Sequence, residues 1–324
     1  MKLAGTKSIA AVALLVSLAR IAAAAEGGED ARQGAQQTLE VAPDATVSLC
    51  VEGGDVLVRG TEGREVRASA TGASRIELRR PANMPAAGAA QRVEVSAADE
   101  RGVEGCAFSG SVALDVPRGS TVHVKTVTAR VTVSDVAHAR VETVSGEVNL
   151  QGVARSAEAS SANGDLSLRK SAGRVRLQTI SASIEAAEVA PAETADQFLA
   201  KTTSGDVTLA NVGHARVEAT TTSGHVEFAG ALARGGVYVL KAYSGGVKVT
   251  LPAAASFRVD ARVAHGEIVT DFPVRQSQEP QAESLLHGQH STVRVSGVVG
   301  DRPDAMLTLS SFSGTLQLRK AAAR

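Results

Sequence analysis

The sequence predicts an all-β protein, a β-solenoid of stacked rungs of about 20 residues each with an irregular β cap at its N-terminal end. Three observations predict this class. A unit of the form Ser-Gly-Asp-Val-x-Leu recurs along the chain, the residues around it alternate between polar and apolar, and aromatic residues make up only 2% of the 324 residues. A narrow interior can be filled by Val, Leu, Ala and Thr, whereas a sandwich or barrel usually relies on aromatic side chains.

The first residues have the layout of a secretory signal peptide. Lys2 and Lys7 are positively charged, residues 9–18 are almost entirely apolar, and the alanines at 22–25 offer a cleavage site. Because an apolar run of this length is too short to span a bilayer, we predict a signal peptide over residues 1–25 and a linker over 26–37. The alternative is an uncleaved anchor helix. No later segment is long and apolar, so we expect an exported protein, periplasmic or secreted, that does not span the membrane.

Residues 38–108 predict irregular strands that would cap the solenoid, since an exposed solenoid end invites edge-to-edge pairing. This region contains the chain's two cysteines, Cys50 and Cys106. In an oxidising compartment they predict a disulfide. The loop it closes would make it worth about 4 kcal/mol in the chain-entropy model. The alternative is two buried free thiols.

Residues 109–320 carry the repeat, and each copy reads as strand, glycine bend, strand and short connection. Glycine is expected to supply the positive φ that a tight bend needs. The turn glycines are Gly110, Gly146, Gly164, Gly205, Gly224, Gly245, Gly266 and Gly314, and two further copies carry Ala129 and Ala182 instead. The spacing between copies varies from 17 to 23 residues, as a stacked repeat tolerates. Residues 275–291 read as a polar insertion loop.

Stacking would place equivalent apolar residues in columns. One column is predicted from Val148, Leu166, Ile184, Val207, Val226 and Val247, and another from Leu150, Leu168, Leu209, Phe228 and Val249. A propeller or a meander of hairpins is the alternative. Propeller blades need about 40 residues, and tight hairpins favour Asn-Gly or Asp-Gly, whereas glycine here mostly precedes the acidic residue. The pattern therefore favours the solenoid.

No catalytic, cofactor or metal site is predicted. His287 and His290 lack a nearby Cys or carboxylate to complete a tetrahedral zinc set. The other histidines are interpreted as mostly ordinary surface residues: His123, His138, His214, His225 and His265. One acidic residue per rung could stack along an edge and bind calcium weakly, but the dense glycine-aspartate pattern of calcium-binding rolls is absent. The acidic residues are Glu147, Asp165, Asp206 and Glu267.

Two further function classes are weighed against the composition. A net charge of zero and the lack of a basic stretch argue against nucleic-acid binding. β-Helix polysaccharide lyases and hydrolases are the enzymatic alternative, and they gather carboxylates and basic side chains in one groove. Acidic and basic residues are instead spread evenly over the polar faces here, so we predict that the protein is not an enzyme.

The repeat and the order of residues after it resemble a known family. The tail order runs Gly266-Glu267-Ile268, Asp271-Phe272-Pro273, Gly297, Gly300, Leu307-Thr308-Leu309 and Ser313-Gly314-Thr315-Leu316. Over residues 110–320 this resembles the bacterial "putative adhesin" repeat domains, an envelope-associated group of largely undefined function. The closing unit departs from the pattern in carrying Thr315 where an acidic residue is usual. The resemblance implies a β-solenoid-like fold and brings no catalytic residues.

The resulting hypothesis is an adhesin-like binding or scaffolding module of the cell envelope whose partner is an envelope protein or polysaccharide. A regulatory protein that senses envelope stress through a membrane partner is the alternative. A carbohydrate-active β-helix enzyme is the third hypothesis.

Overall fold

The computed structural model describes residues 35–81, 88–276 and 292–322. The predicted signal peptide, the linker up to residue 34 and residues 277–291 of the predicted insertion lie outside the described residues, as do His287 and His290. No helix in the described part of the chain has the length and apolar character needed to cross a bilayer.

Each rung contributes one strand to each of two parallel ladders. The first ladder contains β1 (Ala35–Val51), β5 (Ala90–Ala98), β7 (Thr121–Thr126), β9 (His138–Glu142), β11 (Ser156–Ser160), β13 (Arg174–Gln178), β15 (Gln197–Lys201), β17 (Arg216–Ser223) and β19 (Val237–Ser244). The second contains β2 (Asp55–Thr61), β6 (Ser111–Pro117), β8 (Arg130–Ser134), β10 (Val148–Gln151), β12 (Leu166–Ala172), β14 (Ile184–Ala190), β16 (Val207–Val212), β18 (Val226–Ala229) and β20 (Val247–Leu251).

Two long strands pass through both ladders, and shorter elements close the ends. The long strands are β21 (Phe257–Thr270) and β24 (Ala305–Lys320). The antiparallel strands are β3 (Glu65–Thr71), β4 (Arg75–Arg79), β22 (Arg275–Gln276) and β23 (Val293–Val299), and η1 (Gly105–Ala107) is a short 3-10 helix.

The rungs stack in parallel and in register, which confirms the predicted β-solenoid. Val148 pairs with Leu166, and Leu166 pairs with Ile184. Strand β9 pairs with β7 and β11 rather than with its sequence neighbour β10, so the units are not hairpins. The predicted apolar columns form a single buried cluster between the ladders. Each fully buried Val or Leu contributes about 1.5–3 kcal/mol to the free energy of folding because its side chain is removed from water. This one cluster is the hydrophobic core of the described residues.

The order of rungs at the two ends differs from the order in sequence. Residues 52–58 form a rung that lies between the rung of Gly110 and the rung of Ala129, because β2 pairs with both β6 and β8. At the other end β24 lies between β20 and β21. The turn positions therefore do not stack in chain order at either end.

Antiparallel segments explain this interleaving. Strand β3 pairs antiparallel with β1 and β6, so the chain reverses and passes outside β2 before it returns to β7. Strand β23 pairs antiparallel with β21 and carries the chain back to β24. The cap is consequently smaller than the predicted 38–108 region, since β1 and β2 form a regular rung. Strand β1 also begins at Ala35, within the predicted linker.

Candidate functional site

The turns of successive rungs lie so close together that most of the turn glycines have no room for a side chain, although Ala129 and Ala182 occupy the same position in two other rungs. A Cβ added to Gly164 would lie 1.8 Å from the carbonyl oxygen of Gly146. The equivalent distance is 2.3 Å or less at Gly54, Gly146, Gly205, Gly224, Gly245, Gly266 and Gly314. At Gly110 the nearest atoms are instead a ring carbon of Phe108 and the carbonyl oxygen of Thr71.

Close approach of two backbones, rather than positive φ, is therefore what this column of glycines shares. Gly146, Gly164 and Gly205 are not among the residues with positive φ. The expectation that glycine serves the bend through positive φ thus needs correction at these three positions, and Gly110 also lacks a positive φ. The physical reason is the spacing of stacked strands, which brings each turn against the carbonyl of the next.

A buried Ser or Thr three residues before the glycine position forms a ladder of hydroxyl groups inside the turns. In early rungs the hydroxyl accepts from the following turn, as when Thr143 Oγ1 accepts the Gly146 N–H at 3.1 Å. In later rungs it donates to the neighbouring turn, as when Thr221 Oγ1 donates to the Gly205 carbonyl at 2.9 Å. The members are Thr126, Thr143, Ser161, Thr179, Thr202, Thr221 and Ser311. Sequence analysis missed this column, although the recurring Ser or Thr is visible in most copies.

Two of the acidic residues after the glycines accept hydrogen bonds from backbone N–H groups of the next rung. Asp165 Oδ1 accepts the Ser183 N–H at 2.9 Å, and Asp206 Oδ1 accepts the His225 N–H at 2.7 Å. Glu147 instead forms an ion pair with Arg130 at 3.2 Å. Among the described residues no cluster of three or more His, Cys, Asp or Glu side chains is arranged to hold a metal ion.

Cys50 and Cys106 form a disulfide, with their Cα atoms 4.6 Å apart. Cys50 lies near the end of β1 and Cys106 lies in η1, which connects β5 to β6. The bond therefore ties the first regular rung to the outermost rung of the N-terminal end.

The outer face of the first ladder carries a cationic groove near the connections between rungs. One part of the groove has a volume of about 710 Å³ and is lined by residues that include His138, Arg155, Arg174, Glu193 and Asp196. A second part of about 300 Å³ shares Arg174 and continues past Arg216. The two parts together form what we call the arginine groove.

Four exposed arginines supply the charge of the arginine groove and its border. In the described part of the chain none of them has a carboxylate within ion-pair distance, unlike most arginines of the second ladder. The four are Arg155, Arg174, Arg176 and Arg216. Gln197 lies between Arg174 and Arg216 in the register, so these two arginines are about 10 Å apart along the stacking direction.

The long connection after β14 forms one wall of the arginine groove. Asp196 is buried, and its Oδ2 accepts the N–H groups of Ala192 and Glu193 at 2.9 and 2.7 Å. Its carboxylate therefore holds the loop in shape. Glu193 on the same wall is exposed, and a second exposed carboxylate, that of Glu218, lines the part of the groove near Arg216. On the floor, burial lowers the pKa of His138, and the Arg155 guanidinium lowers it further.

His214 is an exception to the prediction that the scattered histidines are mostly surface residues. Its side chain is fully buried beside Phe198, with the ring centroids 5.8 Å apart. Nε2 lies 2.7 Å from the Gly173 carbonyl oxygen, and Nδ1 has no partner among the described residues. Desolvation lowers the pKa of His214, although the hydrogen bond to Gly173 opposes this shift. His123 and His138 are half-buried, and their pKa values are also lowered by burial.

Comparison with protein families agrees with this architecture. The model of the Toastrack DUF4097 family matches residues 46–301. The chain belongs to the Toastrack DUF4097 family. The matched segment includes every rung from the one formed by β1 and β2 up to β21, and it stops before the inserted strand β24 of this Toastrack chain.

Two solved structures are similar to the Toastrack chain, both at 8% identity. One is a "putative cell adhesion protein" from Clostridium sporogenes, with 89% of this chain and 100% of that chain covered and a TM-score of 0.26. The other is a "putative adhesin" from Parabacteroides distasonis, with 90% and 98% covered and a TM-score of 0.35. No curated protein matches the Toastrack chain. At these TM-scores the two likenesses carry no argument about its function.

Proposed function

We propose that this protein is an exported, non-catalytic binding module of the cell envelope and that the arginine groove holds an anionic polymer. The observation that carries the proposal is the set of four exposed arginines on one face of the repeat, none of which forms an ion pair with a carboxylate of the described residues. Guanidinium groups bind carboxylate, sulfate and phosphate through two parallel hydrogen bonds. A scaffolding role is compatible with the same surface.

The geometry suits an extended ligand better than a small one. Arg174 and Arg216 are separated by two rungs, and the walls of the groove run along the stacking direction. A polymer that lies along this direction would present successive charges to successive rungs. Because the arginines are exposed, the attraction should weaken as the salt concentration rises.

Binding to polysaccharides of defined charge tests the proposal. The full chain would be titrated with polygalacturonate, dextran sulfate and neutral dextran by calorimetry. We expect binding to at least one of the two charged polymers and not to dextran. Replacing both arginines, Arg174→Gln and Arg216→Gln, should weaken that binding at least about tenfold, because each lost charged hydrogen bond is worth about 1.5–3 kcal/mol.

Arg169→Gln provides the matched control. Arg169 is equally exposed but lies on the second ladder, where it pairs with Glu185 at 3.3 Å. It removes one positive charge, as Arg174→Gln or Arg216→Gln does singly, so the affinity of the control variant for the polymer should stay within about twofold of the wild type if the site is local. Equal weakening by the control, or no binding to either charged polymer, would contradict the proposal. Release of new reducing ends from any of the polymers would contradict the non-catalytic part.

A further inference from the structure

The aromatic residues divide into a buried set and one exposed pair. The chain has six Phe, two Tyr and no Trp. Six of these eight side chains are buried in the core: Phe108, Phe198, Phe228, Tyr238, Phe257 and Phe272. The other two, Tyr243 and Phe312, are 56% and 44% exposed. Exposed aromatic rings are favoured at binding surfaces, so a pair placed side by side in so aromatic-poor a chain needs an explanation.

The two rings stack at the turns that contain Gly245 and Gly314. We call the surface formed by the glycine turns of successive rungs the turn edge. Tyr243 and Phe312 occupy the same position on adjacent rungs, two residues before Gly245 and Gly314. Their ring centroids are 4.8 Å apart and their planes differ by 3°. His265 meets the Phe312 ring edge-on at 5.1 Å. Because the two parallel rings lie on adjacent rungs, the ring planes are roughly perpendicular to the direction in which the rungs stack.

One face of Tyr243 lies over small side chains. By register Tyr243 is the neighbour of Thr222 in the preceding rung, and Thr203 occupies the rung before that. Both threonines are exposed. Among the described residues Phe312 is the ring partner of Tyr243, and the opposite ring face is directed toward the small side chain of Thr222. The turn edge therefore carries Tyr243 and Phe312, which we call the aromatic wall, next to the exposed threonine hydroxyl groups of the two preceding rungs.

A polar groove adjoins this wall on the same rungs. It has a volume of about 540 Å³ and is lined by residues that include Asp206, His225, Gly246, Lys248 and Gln317. Gly246 has no side chain, which opens the groove between its flanking rungs. The groove thus offers carboxylate, imidazole and amide groups on the rungs beside the exposed ring, while its Lys248 ammonium pairs with Glu227 at 2.7 Å.

We propose that Tyr243 and this groove form a binding site for an uncharged pyranose residue of a glycan. The apolar C–H face of the sugar would stack on the face of Tyr243 that is directed toward Thr222, and its hydroxyl groups would reach His225 and Asp206 on the preceding rungs. An apolar surface combined with a few converging polar groups is the usual composition of a small-ligand site. A stable protein interface needs about 800 Å² per partner around an apolar centre, which two rings flanked by Thr and Ser do not supply.

The site is separate from the arginine groove. The first ladder's arginines lie near the connections between rungs, whereas Tyr243 lies at the turns, at the other end of the strands. The ligands also differ in charge. The two proposals can therefore fail independently of each other.

Tyrosine fluorescence and calorimetry with neutral oligosaccharides test the site. Cellohexaose and chitohexaose would be titrated into the full chain, whose emission comes from buried Tyr238 and exposed Tyr243 alone because no tryptophan is present. We expect one of the two sugars to change the emission and to release heat with the same Kd. Tyr243→Thr, which copies the residues of the two preceding rungs, should weaken binding at least about tenfold.

Val144→Thr is the matched control. Val144 is 47% exposed at the same turn position several rungs away, so it undergoes a comparable change on the same edge. It should leave the Kd unchanged, as should the Arg174→Gln and Arg216→Gln pair. Absence of binding to both sugars, or equal affinity of Tyr243→Thr, would overturn the proposal. So would self-association that Tyr243→Thr abolishes without any sugar binding, since the edge would then dock a second copy of the chain.

Discussion

At the scale of single residues, the turn edge is fixed by contacts between backbones. Each glycine in the column except Gly110 faces the carbonyl of the neighbouring turn at a distance that leaves no room for a Cβ atom. Most hydroxyls three residues earlier accept from their own turn or donate to the neighbouring one, whereas Thr179 Oγ1 has no partner among the described residues. The column of turn glycines and the column of buried Ser and Thr hydroxyls together keep the turns of adjacent rungs closely spaced.

Gly164→Ala is expected to destabilise the fold strongly. Its Cβ would meet the Gly146 carbonyl oxygen at 1.8 Å, so the backbone of one rung must move, which costs about 1–3 kcal/mol or more. Gly63→Ala is the control, because its nearest atom would lie at 3.6 Å and it lacks a positive φ. Urea denaturation should show a large loss for the first variant and a change within about 0.5 kcal/mol for the second. Similar losses would contradict the close-approach explanation.

Two threonines at the same turn position should respond oppositely to replacement by valine. Thr221→Val leaves the Gly205 carbonyl without its hydroxyl donor, at a cost of about 1–3 kcal/mol. Thr179 is equally buried, but its Oγ1 has no partner in the described part of the chain. Thr179→Val should therefore leave the free energy of unfolding unchanged or raise it. Equal losses in thermal or urea unfolding would count against a hydroxyl ladder.

Stability should fall as the pH drops below about 6.5, the ordinary pKa of histidine. Burial lowers the pKa of His214 in the folded state, so the unfolded chain takes up the proton more readily. Protonation at low pH therefore stabilises the unfolded chain relative to the folded one. Half-buried His123 and His138 shift in the same direction. His214→Gln removes one titrating group. Its free energy of unfolding, measured from pH 8 to pH 5, should fall less steeply than that of the wild type, and parallel curves would exclude His214 as a contributor.

At the scale of elements, the central strands could be predicted from the sequence and the terminal ones could not. The alternation around Val148 and Leu166 specifies strands whose partners are the equivalent strands one rung away. Residues 52–58 carry the same Gly-Asp-Val signal, with Gly54 at the turn, yet their rung stacks outside chain order. Nothing in the local pattern reveals which rung a terminal strand joins, because every rung offers a similar edge.

Removal of the chain after Gln276 should release β21 selectively. The truncation deletes β23 and β24, which are the hydrogen-bonding partners of β21 in both ladders. Trypsin followed by mass spectrometry should then show rapid cleavage at Arg258 and Arg262. Arg176 and Arg216 in the central rungs are the internal control and should stay protected. Continued protection of Arg258 and Arg262 would mean that β21 holds its place without β24.

At the scale of the whole molecule, the rungs form a nearly one-dimensional stack in which each contacts its neighbours. The N-terminal end is closed by β3, β4 and the disulfide, and β23 covers the first-ladder part of the other end. The outer surfaces differ from one another: the arginine groove lies on one face, ion pairs line much of the second ladder, and the aromatic wall stands at the turns.

The disulfide is expected to stabilise one end of this stack. In the double variant Cys50→Ser and Cys106→Ser, a loop of 56 residues is no longer closed, with an expected cost of about 4 kcal/mol. Each rung is stabilised mainly by its contacts with the adjacent rungs. Amide hydrogen exchange should therefore accelerate in β1, β2 and β5 and stay unchanged from β13 onward. A uniform acceleration along the chain would contradict nearest-neighbour stacking.

The sequence by itself determined the repeat period, the two apolar columns and the all-β class, because period-two alternation and a recurring turn are local properties. Only the tertiary structure decided the interleaved ends, the burial of His214 and the two grooves. Their causes are long-range: antiparallel segments redirect the terminal strands, and the lengths of connections bring distant side chains together. Surface constellations such as Arg174 with Arg216 arise from the register between rungs, which no single segment of the sequence encodes.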